Sequence, residues 1–428
     1  MNSSLFSYIA ACPTAYHAVS HTAQLLQEAG YIELGEGEAW KLTPGNRYFV
    51  TRSRSSLIAF RIPSADFSGF MMAAAHADSP AFKIKENAEL PDGHYVRLST
   101  EKYGGMLCAP WLDRPLSIAG RVLVRSSSGV ETCLADLQKP CILIPNVAIH
   151  FNRKANDAMA YNAAVDMLPL YSMDSQKGSL RRRIAEAAGV AEQDILATDL
   201  FAYNPQPGVE WNGFISAPRL DDLQCAFAAL TAFLQAGESE NMPVFCLFDN
   251  EEVGSQTKQG AAGTFLPDTL VRICHALTLD AEAYRQKLAA SLLASCDNAH
   301  GVHPNHPEFM DKNHAVYPNG GVVVKYNANQ RYTSDAVSAA LFQLICERAG
   351  VPIQRYANRA DMPGGSTLGN IANTQVSLNT IDIGLAQLAM HSPFETAGAD
   401  DTAYMLRALR AFFETCIHTA CDGSYCLD

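Results

Sequence analysis

The sequence predicts an α/β protein, with a mixed central sheet flanked by helices and a β-rich insertion interrupting it. Three observations carry that expectation. After about residue 210, apolar strand-like runs alternate with helical ones. From about residue 84 the texture changes to short β-type runs separated by Gly and Pro turns. The length, 428 residues, also exceeds what one small core fills. Residues 1–84 and 208–428 are therefore assigned to one discontinuous domain, and 85–207 to the insertion.

Each element follows from local pattern. Residues 15–30 carry Ala, Val and Leu at helical spacing and stop at Gly30, a C-cap residue. Strands are expected at Tyr48–Thr51, Leu57–Ile62 and Phe70–Ala75. In the insertion, Val96–Leu98, Ser117–Val124 and Cys141–Ile144 read as short strands. A charge-mixed helix over about 178–196 and a Pro205-Gln206-Pro207-Gly208 turn lead back to the main domain. There, Leu220–Gln235, Ala281–Ala290, Ser334–Ala349 and Thr402–Thr415 read as helices. Between them, Val244–Phe248, Leu292–Ser295 and Val376–Ile383 read as strands.

Composition narrows the function. With 48% hydrophobic and 18% charged residues the chain is ordinary for a water-soluble globular protein, and no stretch resembles a membrane span. A formal net charge of -12, with Arg181-Arg182-Arg183 as the only local basic run noted, argues against nucleic acid as a partner. No signal peptide is evident at Met1–Ile9. The 12 cysteines form no CxxC pair, and the spacing of Cys416, Cys421 and Cys426 suits neither a zinc knuckle nor a redox motif. Reduced thiols in a cytoplasmic protein are the expectation.

The chemistry gathers at strand ends, where ligands collect in open α/β sheets. Phe70–Ala75 runs into His76-Ala77-Asp78, and Val244–Phe248 into Asp249-Asn250-Glu251-Glu252. Leu292–Cys296 runs into Asp297, and Val376–Ile383 is followed by Met390-His391. Asp221 opens a helix at Arg219-Leu220-Asp221-Asp222. Side-chain alternation in an extended segment would send Glu251 and Glu252 different ways, one to a metal and one to water. Taken singly, each residue also has a structural use: Asp221 as an N-cap, Asp297 as a turn cap, His391 as a core imidazole. Mixed His and carboxylate donors without Cys suit a catalytic rather than a structural site for zinc, manganese or cobalt.

The ordered motifs resemble those of the M18 aminopeptidases, the aspartyl aminopeptidase family of di-metal exopeptidases. They run from His76-Ala77-Asp78-Ser79-Pro80 through Glu101-Lys102-Tyr103-Gly104-Gly105, Trp111-Leu112-Asp113-Arg114 and Arg219-Leu220-Asp221. They continue in Asp249-Asn250-Glu251-Glu252-Val253-Gly254-Ser255 and His300-Gly301-Val302-His303-Pro304-Asn305, and close with Gln330-Arg331-Tyr332 and Gln387-Leu388-Ala389-Met390-His391-Ser392. The resemblance implies a zinc-exopeptidase-like fold whose insertion serves as a dimerisation domain. It implies two divalent metal ions, one held by His76, Asp221 and Asp297, the other by Asp221, Glu252 and His391. By the same resemblance Glu251 is the general base and Asp78 orients His76. His150 reaches a neighbouring subunit's substrate, within a dodecamer built from dimers. Lys325 sits in the pocket for an N-terminal Asp or Glu of a peptide substrate.

Two departures stand out: Asp222 where the family often has Asn, and several changes in Asp361–Gly369. Two rival readings accompany the peptidase. One is a related di-metal N-deacylase or carboxypeptidase, which needs a pocket for a substrate α-carboxylate. The other is an inactive assembly scaffold, which would tolerate loss of the ligands that are all present here.

Overall fold

The computed structural model describes residues 1–63 and 66–428. Its centre is a nine-stranded mixed sheet. Strands Met242–Phe248, Phe70–His76, Leu292–Cys296 and Asn379–Gly384 lie side by side and parallel in its middle. Ser56–Arg61 on one flank and Val322–Tyr326 on the other run antiparallel to them. The four parallel strands therefore deliver their carboxyl ends to one edge.

Burial on both faces explains why these strands read as unbroken apolar runs. Along Phe70–His76, Met71, Ala73 and Ala75 enter one core while Phe70, Met72 and Ala74 enter the other. Phe245 and Leu247 join the first core, Val244, Cys246 and Phe248 the second. Helices Leu220–Gln235, Ala336–Ala349 and Asp401–Glu414 cover the first face together with the N-terminal helices. Phe265–Ala276 and Leu368–Gln375 cover the second. The run of alanines in Phe70–His76 lets Leu220–Gln235 and Asp401–Glu414, themselves packed together, approach the sheet closely.

A six-stranded antiparallel sheet is built from residues 81–203 and closes over its own core with helix Ser179–Ala188. A five-stranded sheet (Val209–Trp211, Phe214–Ala217, Glu395–Gly398, Ala386–Leu388, Ala299–His300) continues from the chain just past that edge. A hairpin, Ile417–Cys421 with Ser424–Leu427, ends the chain.

The architecture agrees with the expected class, and three elements differ from the sequence expectation. Cys141–Ile144 forms only isolated bridges, to Leu116 and Leu170 among others. The helix expected to about 196 stops at Ala188, with Gly189 left-handed (φ 68°), and Ile195–Tyr203 is a strand. Val376 precedes rather than begins its strand, because Leu368–Gln375 is a helix that ends there. Among the described residues no helix is long and apolar enough to cross a membrane.

Candidate metal centre

His76 is the last residue of its strand and 1% exposed. Its Nδ1 lies 3.0 Å from the Asp78 carbonyl oxygen and 3.5 Å from the Asp78 carboxylate. A proton on Nδ1 donates there and leaves Nε2 free, 3.4 Å from Asp221 Oδ1. Asp221 and Asp222 have non-helical backbone angles just ahead of the regular part of Leu220–Gln235, so their carboxylates turn toward the sheet edge instead of capping the helix. Asp222 Oδ2 accepts the His76 backbone N–H at 3.1 Å.

Glu251 and Glu252 occupy a 3₁₀ turn bracketed by left-handed Asn250 (φ 61°) and Gly254 (φ 94°), not the extended segment that alternation assumed. Asp78 fixes that turn. Its Oδ1 accepts the Glu251 N–H and its Oδ2 the Glu252 N–H, each at 3.1 Å, while Tyr103 Oη–H donates to Oδ2 at 2.6 Å. Asp78→Asn would place an amide where these donors converge. It is expected to cost about 10–100-fold in metal affinity, read by competition with a chelator, with the fold retained.

His391 is held in the same manner. Its Nδ1 meets the Gly105 carbonyl, and its Nε2 lies 3.4 Å from Glu252 Oε2 and 3.5 Å from Asp221 Oδ2. Gly105 follows Gly104, whose φ of 76° and approach to Glu252 (an added Cβ would lie 3.1 Å from Glu252 Cβ) suit glycine. His391 itself is left-handed (φ 66°). Glu395 holds that strained residue: its Oε1 accepts the His391 N–H at 2.7 Å, and its Oε2 the Asp221 N–H at 3.0 Å.

The donors form two groups that share Asp221. One is His76, Asp221, Asp222 and Asp297, the other Asp221, Glu252 and His391. Within each group the offered atoms lie within 4.8 Å of one another. Glu251 stands outside both. Burial, reinforced by neighbouring carboxylates, pushes Glu252 and Asp222 well above the usual carboxylate range and Glu251 up to about 8. Burial alone would lower His391, yet Asp221 and Glu252 outweigh it and raise the imidazole to about 10. Asp221 Oδ1, Asp222 Oδ1 and Glu252 Oε1 are buried without a hydrogen-bond partner. Unpartnered buried carboxylate oxygens beside free imidazole Nε2 atoms are a donor set that fits divalent cations.

The sequence-derived residues thus separate. His76, Asp221, Asp297, Glu252 and His391 come together, with Asp78 and Glu251 beside them. Lys325 is 2% exposed and already engaged: its Nζ donates to the Asn298 carbonyl at 2.9 Å and lies 3.6 Å from Asp297 Oδ2. His150 is exposed on a loop outside both groups. Sequence reasoning missed the position of Asp222 in the first group, the anchoring by Glu395, and the Tyr103 hydroxyl on Asp78. For Tyr103 the signal was the Tyr-Gly-Gly turn; for Glu395 there was none, since it acts by joining Asp221, 174 positions away, to His391.

Known proteins share the sequence and the fold of this chain. Residues 8–413 match the family model described as Aminopeptidase I zinc metalloprotease (M18). The "Probable M18 family aminopeptidase 2" of Clostridium novyi is 39% identical over 422 residues, spanning 96% of this chain and 97% of that protein. Its namesake in Pseudomonas aeruginosa is 40% identical over 424 residues, spanning 96% and 98%. Among solved structures, a chain of the Ape4 and Nbr1 complex superposes with a TM-score of 0.93 at 32% identity, covering 96% of this chain and 85% of that one. The S. cerevisiae mApe1 dodecamer gives a TM-score of 0.83 at 29% identity, covering 96% and 95%. An M18 aminopeptidase from Thermotoga maritima shares the fold, with a TM-score of 0.84 at 22% identity over 96% and 95%. Full-length sequence matches and a strand-edge cluster of imidazoles and carboxylates lead to one conclusion: this chain belongs to the M18 family of metallo-aminopeptidases.

Proposed function

We propose that the protein removes N-terminal residues from peptides, with a preference for Asp and Glu, using two divalent cations at the strand-edge centre. The observation that carries this is the pair of donor groups joined through Asp221, each with an imidazole whose Nδ1 is tied to a carbonyl and whose Nε2 faces inward. His76, Asp221 and Asp297 would hold one ion, and Asp221, Glu252 and His391 the other. Zinc is the first choice, with manganese and cobalt suiting the same donors. When bound, such ions supply Lewis acidity toward a carbonyl oxygen and lower the pKa of water toward neutrality.

Glu251 is the carboxylate left to move protons. Seated on a turn fixed by Asp78, it takes a proton from the attacking water and returns it to the leaving amine. Lys325 has three N–H donors; one serves the Asn298 carbonyl, and the ammonium also compensates Asp297. Its remaining donor would receive the carboxylate of a substrate's N-terminal Asp or Glu. Charged hydrogen bonds are worth about 1.5–3 kcal/mol, so Lys325→Met is expected to lower the ratio of kcat/KM for Glu-amide over Leu-amide by about 10–100-fold. An unchanged ratio would remove Lys325 from the pocket.

Assembly completes the proposal. His150 is flanked by exposed Val147, Ile149 and Phe151, the last 88% exposed. Apolar exposure of this kind marks a surface that another chain covers. The residue 81–203 sheet would then make the dimer contact, and His150 would enter the partner's site within a dodecamer built from dimers. Aromatic anchors at interfaces contribute about 2 kcal/mol or more, so Phe151→Glu is expected to shift the protein toward monomers in sedimentation and to lower activity in parallel. A fully active monomer would end this part of the proposal. All 12 cysteines are unpaired, consistent with a cytoplasmic enzyme.

A further inference from the structure

The C-terminal hairpin lies beyond residue 413, where the match to the family model ends. Its register sorts its side chains by parity. Ile417, Tyr425 and Leu427 pack into the first core. His418 pairs across the strands with Cys426, and Cys421 with Ser424, after an irregularity between Thr419 and Cys421. Cys416 and Asp428 exchange both backbone hydrogen bonds, each at 3.0 Å, and so stand opposite one another. Cys416, His418, Cys426 and Asp428 therefore share the face turned away from the core. Linear spacing of the cysteines showed no metal motif because the donors are ordered across the hairpin rather than along it.

A second segment meets this face. Glu240, just ahead of central strand Met242–Phe248, offers a carboxylate oxygen within 4.8 Å of both the Cys416 sulfur and a His418 ring nitrogen. Its position is fixed on both sides: Ser68 N–H donates to the Glu240 carbonyl at 3.1 Å, and Asn241 Nδ2 to the Thr415 carbonyl at 3.3 Å. His418 Nε2 lies 3.3 Å from Cys416 Sγ and 3.3 Å from Asp428 Oδ2. Four donors at zinc bond lengths of about 2.0–2.3 Å stand about 3.3–3.8 Å apart at the corners of a tetrahedron. Both His418 separations match, and the Glu240, Cys416 and His418 donor atoms all lie within 4.8 Å of one another.

We propose that Glu240, Cys416 and His418, joined by the exposed Asp428 carboxylate on rotation from its place beside His418, form a zinc site, separate from the peptidase centre, that ties the terminal hairpin to the loop entering the central sheet. With Asp428 turned in, the donor mix of one thiolate, one imidazole and two carboxylates suits a borderline-soft ion and leaves no position for a reacting water, as in sites that hold structure. Binding requires the Cys416 thiol to lose its proton, which passes to solvent. Burial, with Glu240 and Asp428 nearby, holds that thiol above its usual range until a cation arrives. The hairpin needs no metal to be positioned, since Arg348 Nη2 also donates to the Leu427 carbonyl at 2.9 Å.

The test uses reduced, full-length enzyme, stripped by chelator and reloaded with zinc, or with cobalt as a spectroscopic probe. Zinc content is expected to fall by one ion per chain in Cys416→Ser and in His418→Ala, with peptide hydrolysis unchanged. Cobalt is expected to give a thiolate-to-metal charge-transfer band in the wild type that disappears in Cys416→Ser, since the peptidase donor groups contain no cysteine. His418→Ala alters only a partly exposed side chain, so it decides the matter if Cys416→Ser fails to fold. Equal zinc content in wild type and His418→Ala, or a cobalt band that survives in a folded Cys416→Ser, would overturn the proposal.

Discussion

Glu251→Gln is expected to lower kcat by about 10²–10⁴-fold while leaving metal content and fold unchanged. The substitution keeps the size of the side chain and the backbone N–H that Asp78 accepts, so the turn carrying Glu252 stays in place. What it removes is a carboxylate able to accept a proton. Because Glu251 stands outside both donor groups, metal stoichiometry measured beside the rate separates this effect from loss of the centre. A variant with near-normal kcat, or one that has lost its metal, would show that Glu251 is not the proton carrier.

Asp221→Asn is expected to have a larger effect by a different route. Asp221 alone belongs to both donor groups, and its two oxygens face His76 and His391 at 3.4 and 3.5 Å. An amide there would halve the oxygen donors, point an N–H₂ group at one imidazole, and weaken both ions together. Lewis-acid stabilisation contributes several kcal/mol, so activity is expected to fall by about 10³-fold or more, with both metal equivalents lost in parallel. Loss of one ion with the other retained would mean that the two groups are independent.

Much of this fold was legible because the central strands are buried on both faces. Phe70–His76 and Met242–Phe248 carry no polar residue before their ends, so the change from apolar run to carboxylate or imidazole marks the strand terminus and the site together. Leu220–Gln235 was legible for the same reason, as a helix buried along most of its surface. Ile195–Tyr203 was not: its exposure follows no simple alternation, its register shifts between Ile195 and Ala197, the strands it pairs with lie far away in sequence, and the helical stretch before it gives no warning beyond Gly189. Ile353–Ala357, an edge strand with one fully buried residue, lacked the apolar pattern altogether.

At the site, ligand types could be read from strand ends, but their support could not. Glu395 secures Asp221 and His391 from a different sheet, 174 positions from the first and four from the second. The resemblance set Lys325 in a substrate pocket, and only the fold shows its ammonium beside Asp297. The hairpin donors behind Cys416 were likewise hidden, because cross-strand register has no signature in linear spacing. Local patterns named the chemistry, and nonlocal packing decided which groups are charged, paired or strained.

The central claim is that the centre shared through Asp221 binds two ions and that hydrolysis depends on them. The most direct test titrates manganese, which has little affinity for thiolates, into chelated enzyme while binding and Glu-amide hydrolysis are followed together. The account predicts no measurable hydrolysis without metal and full activity as two equivalents per chain bind. Full activity in the chelated enzyme, or saturation of both signals at a single equivalent, would contradict it.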